Sequence, residues 1–113
     1  MIETFSFGRM LISGKEYHSD LIIFPNGRIQ NPWWRKKGHM LFIEDIEELI
    51  LTRPSTIIAG TGTMGLMKPD QGLEKLLQKK GIIFIAESTK KAVEKYNGLY
   101  ARGDTGACFH VGC

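Results

Sequence analysis

Apolar and polar positions in the first third of the chain predict short antiparallel strands. Residues 5–12 partly alternate between apolar and polar, and Ser13-Gly14-Lys15 supplies a turn before the apolar run at residues 21–24. Pro25-Asn26-Gly27 predicts a tight turn, because asparagine and glycine tolerate the positive φ that such turns require. Residues 28–30 then return as a strand. We therefore predict an N-terminal β-meander.

The rest of the chain alternates helical periodicity with short apolar runs. In residues 44–51, Ile46, Leu49 and Ile50 share one face, which predicts a first helix. Leu73, Leu76 and Leu77 form the apolar stripe of a second helix that we expect to begin near Pro69 or Asp70. A third helix is predicted to begin at Ser88 or Thr89 and to end before Asn97-Gly98. Strands are predicted in the three short runs between and after these helices, at residues 55–59, 82–86 and 107–111.

This order of elements predicts a fold class. Helices that alternate with short apolar strands after a β-meander are typical of a layered α/β domain with a mixed central sheet. At 113 residues the chain has room for one hydrophobic core. We predict a compact three-layer α/β fold in a single domain over residues 1–113, with about three helices.

Charge and composition narrow the function classes. The formal charge of +3 is small and the basic clusters are scattered along the chain, so we expect no nucleic-acid surface. No segment approaches the roughly 20 apolar residues of a membrane span, and we expect a cytoplasmic protein. Cys108 and Cys113 lack Cys-x-x-Cys spacing and a second pair of ligands, which argues against zinc. We expect free thiols, no metal and no cofactor, with Cys108 buried if it lies in the last strand.

The sharpest motif is the glycine turn, Gly60-Thr61-Gly62-Thr63-Met64-Gly65, which follows a predicted strand and matches the G-x-G-x-x-G of dinucleotide-binding folds. That fingerprint requires a helix that begins within the glycine loop and points its amides at the pyrophosphate. Here the predicted helix begins later, near Pro69, so we interpret the turn as structural. Consecutive amides at Gly60, Thr61, Gly62 and Thr63 still make it a candidate anion site.

A second set of candidates is dispersed along the chain. These polar side chains are His39, Thr61, Thr89, Asn97, His110 and Cys113. Histidine is the usual general base and cysteine the usual thiol nucleophile, but the spacing does not bring a cysteine, a histidine and an orienting carboxylate together. Thr89 is simply interpreted as a helix cap. Trp33 and Trp34 are either anchors for a partner or packing residues.

An ordered set of motifs over essentially the whole chain resembles one known family. The matching segments are Gly27-Arg28-Ile29, Trp33 or Trp34, His39, the helix with Asp45, residues 57–62, residues 89–92, Tyr96-Asn97 and His110-Val111-Gly112-Cys113. The chain resembles the domain-of-unknown-function family that includes the adipogenesis-associated domain-containing protein and relatives of mitochondrial complex I assembly factor 3. The resemblance implies a compact three-layer α/β fold. The family has no established catalytic residues or cofactor to carry over to this chain, and its assembly-factor branch suggests protein binding.

Two function classes follow from the sequence. The first and favoured one is a non-enzymatic protein-binding or assembly module with an unidentified protein partner. The alternative is a small-ligand protein or enzyme that binds an anion weakly in a pocket near residues 60–65. A solvent-accessible histidine or cysteine that converges on the glycine turn favours the second class, whereas an exposed apolar patch favours the first.

Overall fold

The computed structural model describes residues 1–112. Its strands, in chain order, are β1 (Ile2–Ser6), β2 (Arg9–Ile12), β3 (Lys15–Tyr17), β4 (Leu21–Ile23), β5 (Ile29–Gln30), β6 (Met40–Leu41), β7 (Thr56–Gly60), β8 (Lys68–Pro69), β9 (Ile83–Glu87) and β10 (Thr105–Phe109). Its α-helices are α1 (Glu47–Leu51), α2 (Leu73–Lys79) and α3 (Thr89–Leu99), and 3₁₀ turns cover Ile43–Ile46 and Tyr100–Arg102. The predicted α/β class and the N-terminal antiparallel strands are confirmed.

The central sheet is mixed, as predicted. Its five strands lie in the order β5-β4-β10-β7-β9. Strand β7 runs parallel to both β10 and β9, whereas β4 runs antiparallel to β10 and β5. The ends of β7, β9 and β10 therefore meet the start of β4 at one edge of the sheet, which we term the carboxyl edge. In open α/β sheets this edge is where ligands bind.

The two faces of the central sheet build two separate cores, which makes the fold three-layered. Alternate residues of a strand point to opposite faces. Ile57 and Cys108 pack with Leu49 of α1 and with Leu73 and Leu77 of α2. On the other face, the buried residues of the sheet pack against α3 and against strands β1 and β2. The residues of this second core are Leu21, Ile23, Ile58, Ala107 and Phe109 from the sheet, Ala92 and Tyr96 from α3, and Ile2, Met10 and Ile12 from β1 and β2. Both faces of the sheet are thus covered.

The predicted β-meander is divided between two sheets. The run at residues 5–12 turns back at Gly8, which has a φ of 76°, so β1, β2 and β3 form a small antiparallel sheet of their own. Strands β4 and β5 form a hairpin that belongs to the central sheet. The alternation along residues 5–12 identified extended chain but did not show where the chain turns.

Helix boundaries differ from the prediction where distant contacts intervene. Helix α2 begins at Leu73, later than Pro69 or Asp70, because residues 68 and 69 pair in parallel with β6 and are extended. Helix α3 continues through Asn97-Gly98 to Leu99. There the Asn97 side chain holds the backbone of Ile2 through two hydrogen bonds of 2.9 and 2.8 Å. Within residues 1–112 no helix is long and apolar enough to cross a membrane.

The predicted apolar stripe of α2 is wrong at one position. Leu73 and Leu77 are buried, but Leu76 is 44% exposed. The buried positions are four residues apart, and α2 has only seven residues. One narrow stripe therefore contacts the sheet, and Leu76 lies outside it.

Leucine-to-alanine substitutions in α2 test this orientation. We expect Leu77→Ala to lower the free energy of unfolding by about 2 to 5 kcal/mol, because it leaves a cavity in the core. Leu76→Ala in the same helix is the matched control, and we expect it to cost less than about 1 kcal/mol. Urea titration measures both values. Equal losses for the two variants would contradict the orientation.

Candidate functional site

Two polar side chains from neighbouring strands meet at the carboxyl edge. Asp20 directly precedes β4, and His110 directly follows β10. Because these strands are antiparallel neighbours, the start of one lies beside the end of the other. Oδ2 of Asp20 lies 2.9 Å from Nδ1 of His110. The topology therefore forms an aspartate–histidine pair from residues 90 positions apart.

Arg35 completes the cluster from the loop between β5 and β6. Its Nη1 donates to Oδ2 of Asp20 at 2.8 Å, and its Nη2 donates to the Gly38 carbonyl at 2.7 Å. The guanidinium carbon lies 4.7 Å from the centre of the Trp33 ring, which adds a cation–π contact. The Arg35 side chain is only 4% exposed. These contacts hold the guanidinium in one orientation beneath the surface.

Asp20 is ionised because of its hydrogen bonds. Its Oδ1 accepts a third bond, of 2.7 Å, from the Val111 amide. Burial alone raises the pKa of a carboxyl group, but the hydrogen bonds from His110, the Val111 amide and Arg35 outweigh burial and lower the pKa of Asp20 below its ordinary value. The aspartate therefore carries a full negative charge at neutral pH.

The charge on Asp20 determines which nitrogen of His110 carries the proton. An ionised carboxylate only accepts hydrogen bonds, so Nδ1 of His110 is the donor. Nη2 of Arg35, 3.3 Å from Nδ1, is then a neighbouring donor and not a partner. Nε2 of His110 and Nε of Arg35 are both buried and have no hydrogen-bond partner among residues 1–112. Neither nitrogen thus has a partner within the described residues, although buried polar groups are normally hydrogen-bonded.

A pocket of about 350 Å³ lies over this cluster. This carboxyl-edge pocket is lined by Gly8, His18, Ser19, Asp20, Pro32, Trp33, Trp34, Arg35, Gly38, His110, Val111 and Gly112. Trp34 is 81% exposed, Phe7 precedes Gly8 in its turn and is 67% exposed, and Met64 is 74% exposed. Met64 follows Thr63, whose amide donates to the Gly112 carbonyl. Of these three exposed apolar side chains, Trp34 is the one that lines the pocket.

The glycine turn is connected through Thr89 to the end of β10, beside the pocket. A Cβ at Gly60 would lie 2.6 Å from a Phe109 ring carbon and 3.0 Å from Oγ1 of Thr89, so only glycine fits where α3 approaches β7. Oγ1 of Thr89 accepts a bond from the Gly62 amide and donates to the His110 carbonyl at 2.7 Å. Thr89 thus joins the glycine turn to the end of β10 and does not cap α3 with its side chain.

The amides of the glycine turn already donate within the protein. The Thr61 amide binds the Glu87 carbonyl at 2.8 Å, and the Thr63 amide binds the Gly112 carbonyl at 2.8 Å. An anion at the turn would have to displace these bonds and that of Gly62. The helix that follows begins only at Leu73, so its N-terminus does not extend the turn as a dinucleotide fold requires. The structural interpretation of the motif fits this geometry.

The structure brings some of the dispersed polar candidates together and separates others. His39 is exposed and its ring centre lies 6.0 Å from that of His110. Asn97 instead binds Ile2, on the side of α3 that faces β1. Cys113 lies outside the described residues. Among residues 1–112 no group of three or more histidine, cysteine, aspartate or glutamate side chains could hold a metal ion.

Cys108, in the last strand, is buried as predicted. Burial raises the pKa of its thiol to about 12, although the nearby positive charge of Arg35 opposes the shift. The thiol therefore remains protonated at neutral pH and is a packing group.

Sequence analysis missed the two charged residues that organise the site. Asp20 and Arg35 are ordinary loop residues in the sequence, and no spacing connects them to His110. The one local signal is that Asp20 directly precedes the apolar run of residues 21–23. This position places it at the start of a strand.

Substitution of Asp20 tests the buried ion pair. We expect Asp20→Asn to destabilise the fold by about 3 kcal/mol at neutral pH, because it leaves Arg35 buried without its counter-charge. The pKa of Asp20 is lowered by folding, so the carboxylate stabilises the fold above its unfolded pKa of about 3.9 and this contribution is lost as the pH falls through the lower folded pKa. The difference between variant and wild type should therefore shrink below about pH 4.

The matched control is the exposed pair formed by Arg9 and Glu16, whose nitrogen and oxygen lie 2.6 Å apart. Glu16→Gln should change the free energy of unfolding by less than about 1 kcal/mol, because water screens this pair. Denaturant titrations at neutral and acid pH compare the two variants. A loss for Asp20→Asn no greater than that for Glu16→Gln would show that the buried network contributes nothing to stability.

Comparison with known proteins agrees with the fold. The conserved hypothetical protein PH1505 from Pyrococcus horikoshii OT3, known from a crystal structure, is 28% identical in sequence to this chain. The alignment covers 100% of this chain and 99% of that chain, with a TM-score of 0.84. A structure described as MT938 is 27% identical over 100% of this chain and 98% of its own, also with a TM-score of 0.84. A Bordetella pertussis protein described as a Mth938-like domain shares the fold at 14% identity over 97% of this chain and 84% of its own, with a TM-score of 0.62.

No curated protein matches the chain. The model of a protein family described as "Protein of unknown function (DUF498/DUF598)" matches residues 2–110. The match covers all the described strands and helices, and the chain therefore belongs to the DUF498/DUF598 family.

Proposed function

We propose that this protein is a non-enzymatic binding module that holds a segment of a partner protein at the carboxyl-edge pocket. One observation carries the proposal. A largely buried cluster of Arg35, Asp20 and His110 lies beneath a pocket whose lining includes the exposed side chain of Trp34. A pocket with apolar walls and a few convergent polar groups is typical of a binding site.

The apolar rim favours a polypeptide partner. Pro32 and Trp34 line the pocket and are both exposed, Trp34 to 81%. Single exposed apolar residues are common on protein surfaces, but one that borders a pocket with convergent polar groups is a candidate binding contact. Tryptophan is enriched among the residues that dominate binding energy, because it buries a large area with little loss of side-chain entropy. Trp34 is therefore the principal anchor.

The polar cluster of Arg35, Asp20 and His110 forms the floor of the pocket and determines which chemical group of a partner can bind there. Nε of Arg35 is a donor, so it calls for an oxygen acceptor, such as a main-chain carbonyl or a carboxylate of the partner. Nε2 of His110 is buried in the same network and accepts or donates according to the charge on the ring. The contacts of Arg35 with Trp33 and Gly38 hold its guanidinium in place before the partner binds. The partner segment therefore places an apolar side chain on the rim and an oxygen on the floor.

The resemblance to relatives of mitochondrial complex I assembly factor 3 also supports a binding role, since an assembly factor acts by holding other proteins. The Cys108 thiol, buried and protonated, offers no nucleophile to His110. A small carboxylate or phosphate is the second candidate occupant. It is favoured by the same two nitrogens; Nε2 of His110 lies close to Gly112, whose carbonyl accepts a bond from the Thr63 amide of the glycine turn.

Selection from a displayed library of random peptides tests the proposal. With the whole protein as target, we expect enriched peptides that share an apolar residue, and we expect Trp34→Ser to weaken their binding at least about tenfold. Leu51→Ser is the matched control, because Leu51 is 79% exposed but lies at the end of α1, outside the pocket. Binding by this control should equal that of the wild type.

Two outcomes would overturn the proposal. Enriched peptides that bind the wild type, Trp34→Ser and Leu51→Ser variants equally would place the binding surface elsewhere. The absence of any shared sequence, together with changes in the NMR signals of His110 on titration with acetate or inorganic phosphate, would assign the pocket to a small anion.

A further inference from the structure

Two asparagines of this chain are followed by a glycine, and the structure places them in different surroundings. Asn26-Gly27 lies at the tip of the hairpin between β4 and β5, whereas Asn97-Gly98 lies inside α3. We propose that Asn26 is a site of spontaneous covalent modification, at which the side-chain amide is lost as ammonia and an aspartate or isoaspartate residue forms. The site is independent of the carboxyl-edge pocket, because Asp20 and this hairpin tip lie at opposite ends of β4.

The reaction joins a main-chain nitrogen to the side-chain amide that precedes it. The nitrogen of Gly27 loses its proton and forms a bond to Cγ of Asn26. The bond between Cγ and Nδ2 breaks, and Nδ2 takes up a proton and leaves as ammonia, so the product is a cyclic imide. Water then opens the ring at one of its two carbonyl carbons. Cleavage between the nitrogen and Cγ gives aspartate, and cleavage between the nitrogen and the main-chain carbonyl carbon gives isoaspartate.

Gly27 is an unhindered nucleophile. Glycine has no Cβ that would obstruct the approach of its own nitrogen to Cγ of Asn26. Asn26, Gly27 and Arg28 are all exposed. Apart from the chain neighbours, no heavy atom lies within 4 Å of the position that a Cβ of Gly27 would occupy. Water and hydroxide therefore reach this peptide group.

The side-chain amide of Asn26 is activated at its oxygen and unrestrained at its nitrogen. Oδ1 accepts a hydrogen bond of 2.9 Å from the Arg28 amide. Negative charge develops on this oxygen when Cγ is attacked, and a positioned amide donor stabilises such a charge. Nδ2, which must depart, has no hydrogen-bond partner among residues 1–112. The bond that orients Asn26 in the turn therefore also favours the reaction.

One hydrogen bond of the turn opposes the attack. The Gly27 amide donates to the Phe24 carbonyl at 2.8 Å. The reaction requires this bond to open and the amide to lose its proton. Exposed loop tips open locally at low cost in free energy. We therefore expect the rate at Asn26 to rise with pH, because the deprotonated nitrogen becomes more abundant.

The other asparagines lack these conditions. Oδ1 of Asn97 accepts from the Ile2 amide at 2.9 Å, and its Nδ2 donates to the Ile2 carbonyl at 2.8 Å, so both ends of the side chain are held. The Gly98 peptide is held within α3 by the regular bonding of a helix. Asn31 precedes Pro32, whose nitrogen has no proton to lose and cannot close the ring. The structure therefore distinguishes Asn26 from both.

The two products differ in their effect on the hairpin. Both add a negative charge, and aspartate keeps an oxygen that accepts from the Arg28 amide. Isoaspartate passes the main chain through Cγ and lengthens it by one methylene group. This change disturbs the bond between the Phe24 amide and the Arg28 carbonyl, which measures 2.8 Å and closes the hairpin. Isoaspartate therefore disrupts the turn that aspartate preserves.

Peptide mapping of the full chain after incubation at mildly alkaline pH tests the proposal. Trypsin places Asn26, Asn31 and Asn97 in separate peptides, residues 16–28, 29–35 and 96–102. Mass spectrometry measures the conversion of amide to acid in each peptide, and chromatography separates aspartate from isoaspartate. We expect conversion at Asn26 to be at least about tenfold faster than at Asn97. Asn31 should remain unchanged.

The same measurement in denaturant separates the effect of the fold from that of the sequence. Both Asn-Gly pairs are then exposed, and we expect their rates to become similar. Gly27→Ala should slow conversion at Asn26 relative to wild type under these conditions, because its Cβ hinders the attack. The comparison is made in denaturant because Gly27 has a φ of 91° in the fold, where alanine would be strained.

Three outcomes would overturn the proposal. Conversion in the folded protein that is no faster at Asn26 than at Asn97 would show that the turn does not promote the reaction. An equal preference for Asn26 in denaturant would assign the preference to the neighbouring sequence. An unchanged rate for Gly27→Ala would exclude the Gly27 nitrogen as the nucleophile. None of these outcomes depends on peptide binding at Trp34, so the two proposals fail separately.

Discussion

The carboxylate of Asp20 holds together the polar groups at the carboxyl edge of the central sheet. A buried charge is tolerated only when it is paired and hydrogen-bonded. Asp20 meets that condition by accepting bonds from the loop before β6, through Arg35, and from the end of β10, through His110 and Val111. Because these segments are distant in sequence, one side chain links the loop before β6 to the residues that follow β10.

The pocket follows from that constraint. With its guanidinium held by Asp20 and Gly38, Arg35 supports the Trp33 ring, and the loop presents Trp34 to solvent. On the opposite side, Gly60 lets α3 approach closely enough for Thr89 to bond both the glycine turn and His110. A rigid polar floor and an accessible apolar rim are thus consequences of packing at the end of the sheet.

Local pattern predicted the fold class well and the site only in part. The apolar runs that became β7 and β9 and the periodicity of α1 depend on neighbouring residues, so sequence reveals them. The start of α2 and the end of α3 depend instead on distant partners, β6 and Ile2 respectively. His110, His39 and Thr89 were identified by residue type, and the structure places all three near the carboxyl edge. Asp20 and Arg35 escaped notice because only the antiparallel pairing of β4 and β10 gives them a role.

The proton position on His110 tests the Asp20 network most directly. Long-range correlation of imidazole protons and nitrogens by NMR at mildly alkaline pH distinguishes the two tautomers. The account predicts that Nδ1 of His110 carries the proton, since it lies 2.9 Å from the Asp20 carboxylate. His18 is the reference within the same chain, because its Nε2 lies 3.3 Å from Glu16 and should carry the proton instead. A proton on Nε2 of His110 would contradict the network and the pocket built on it.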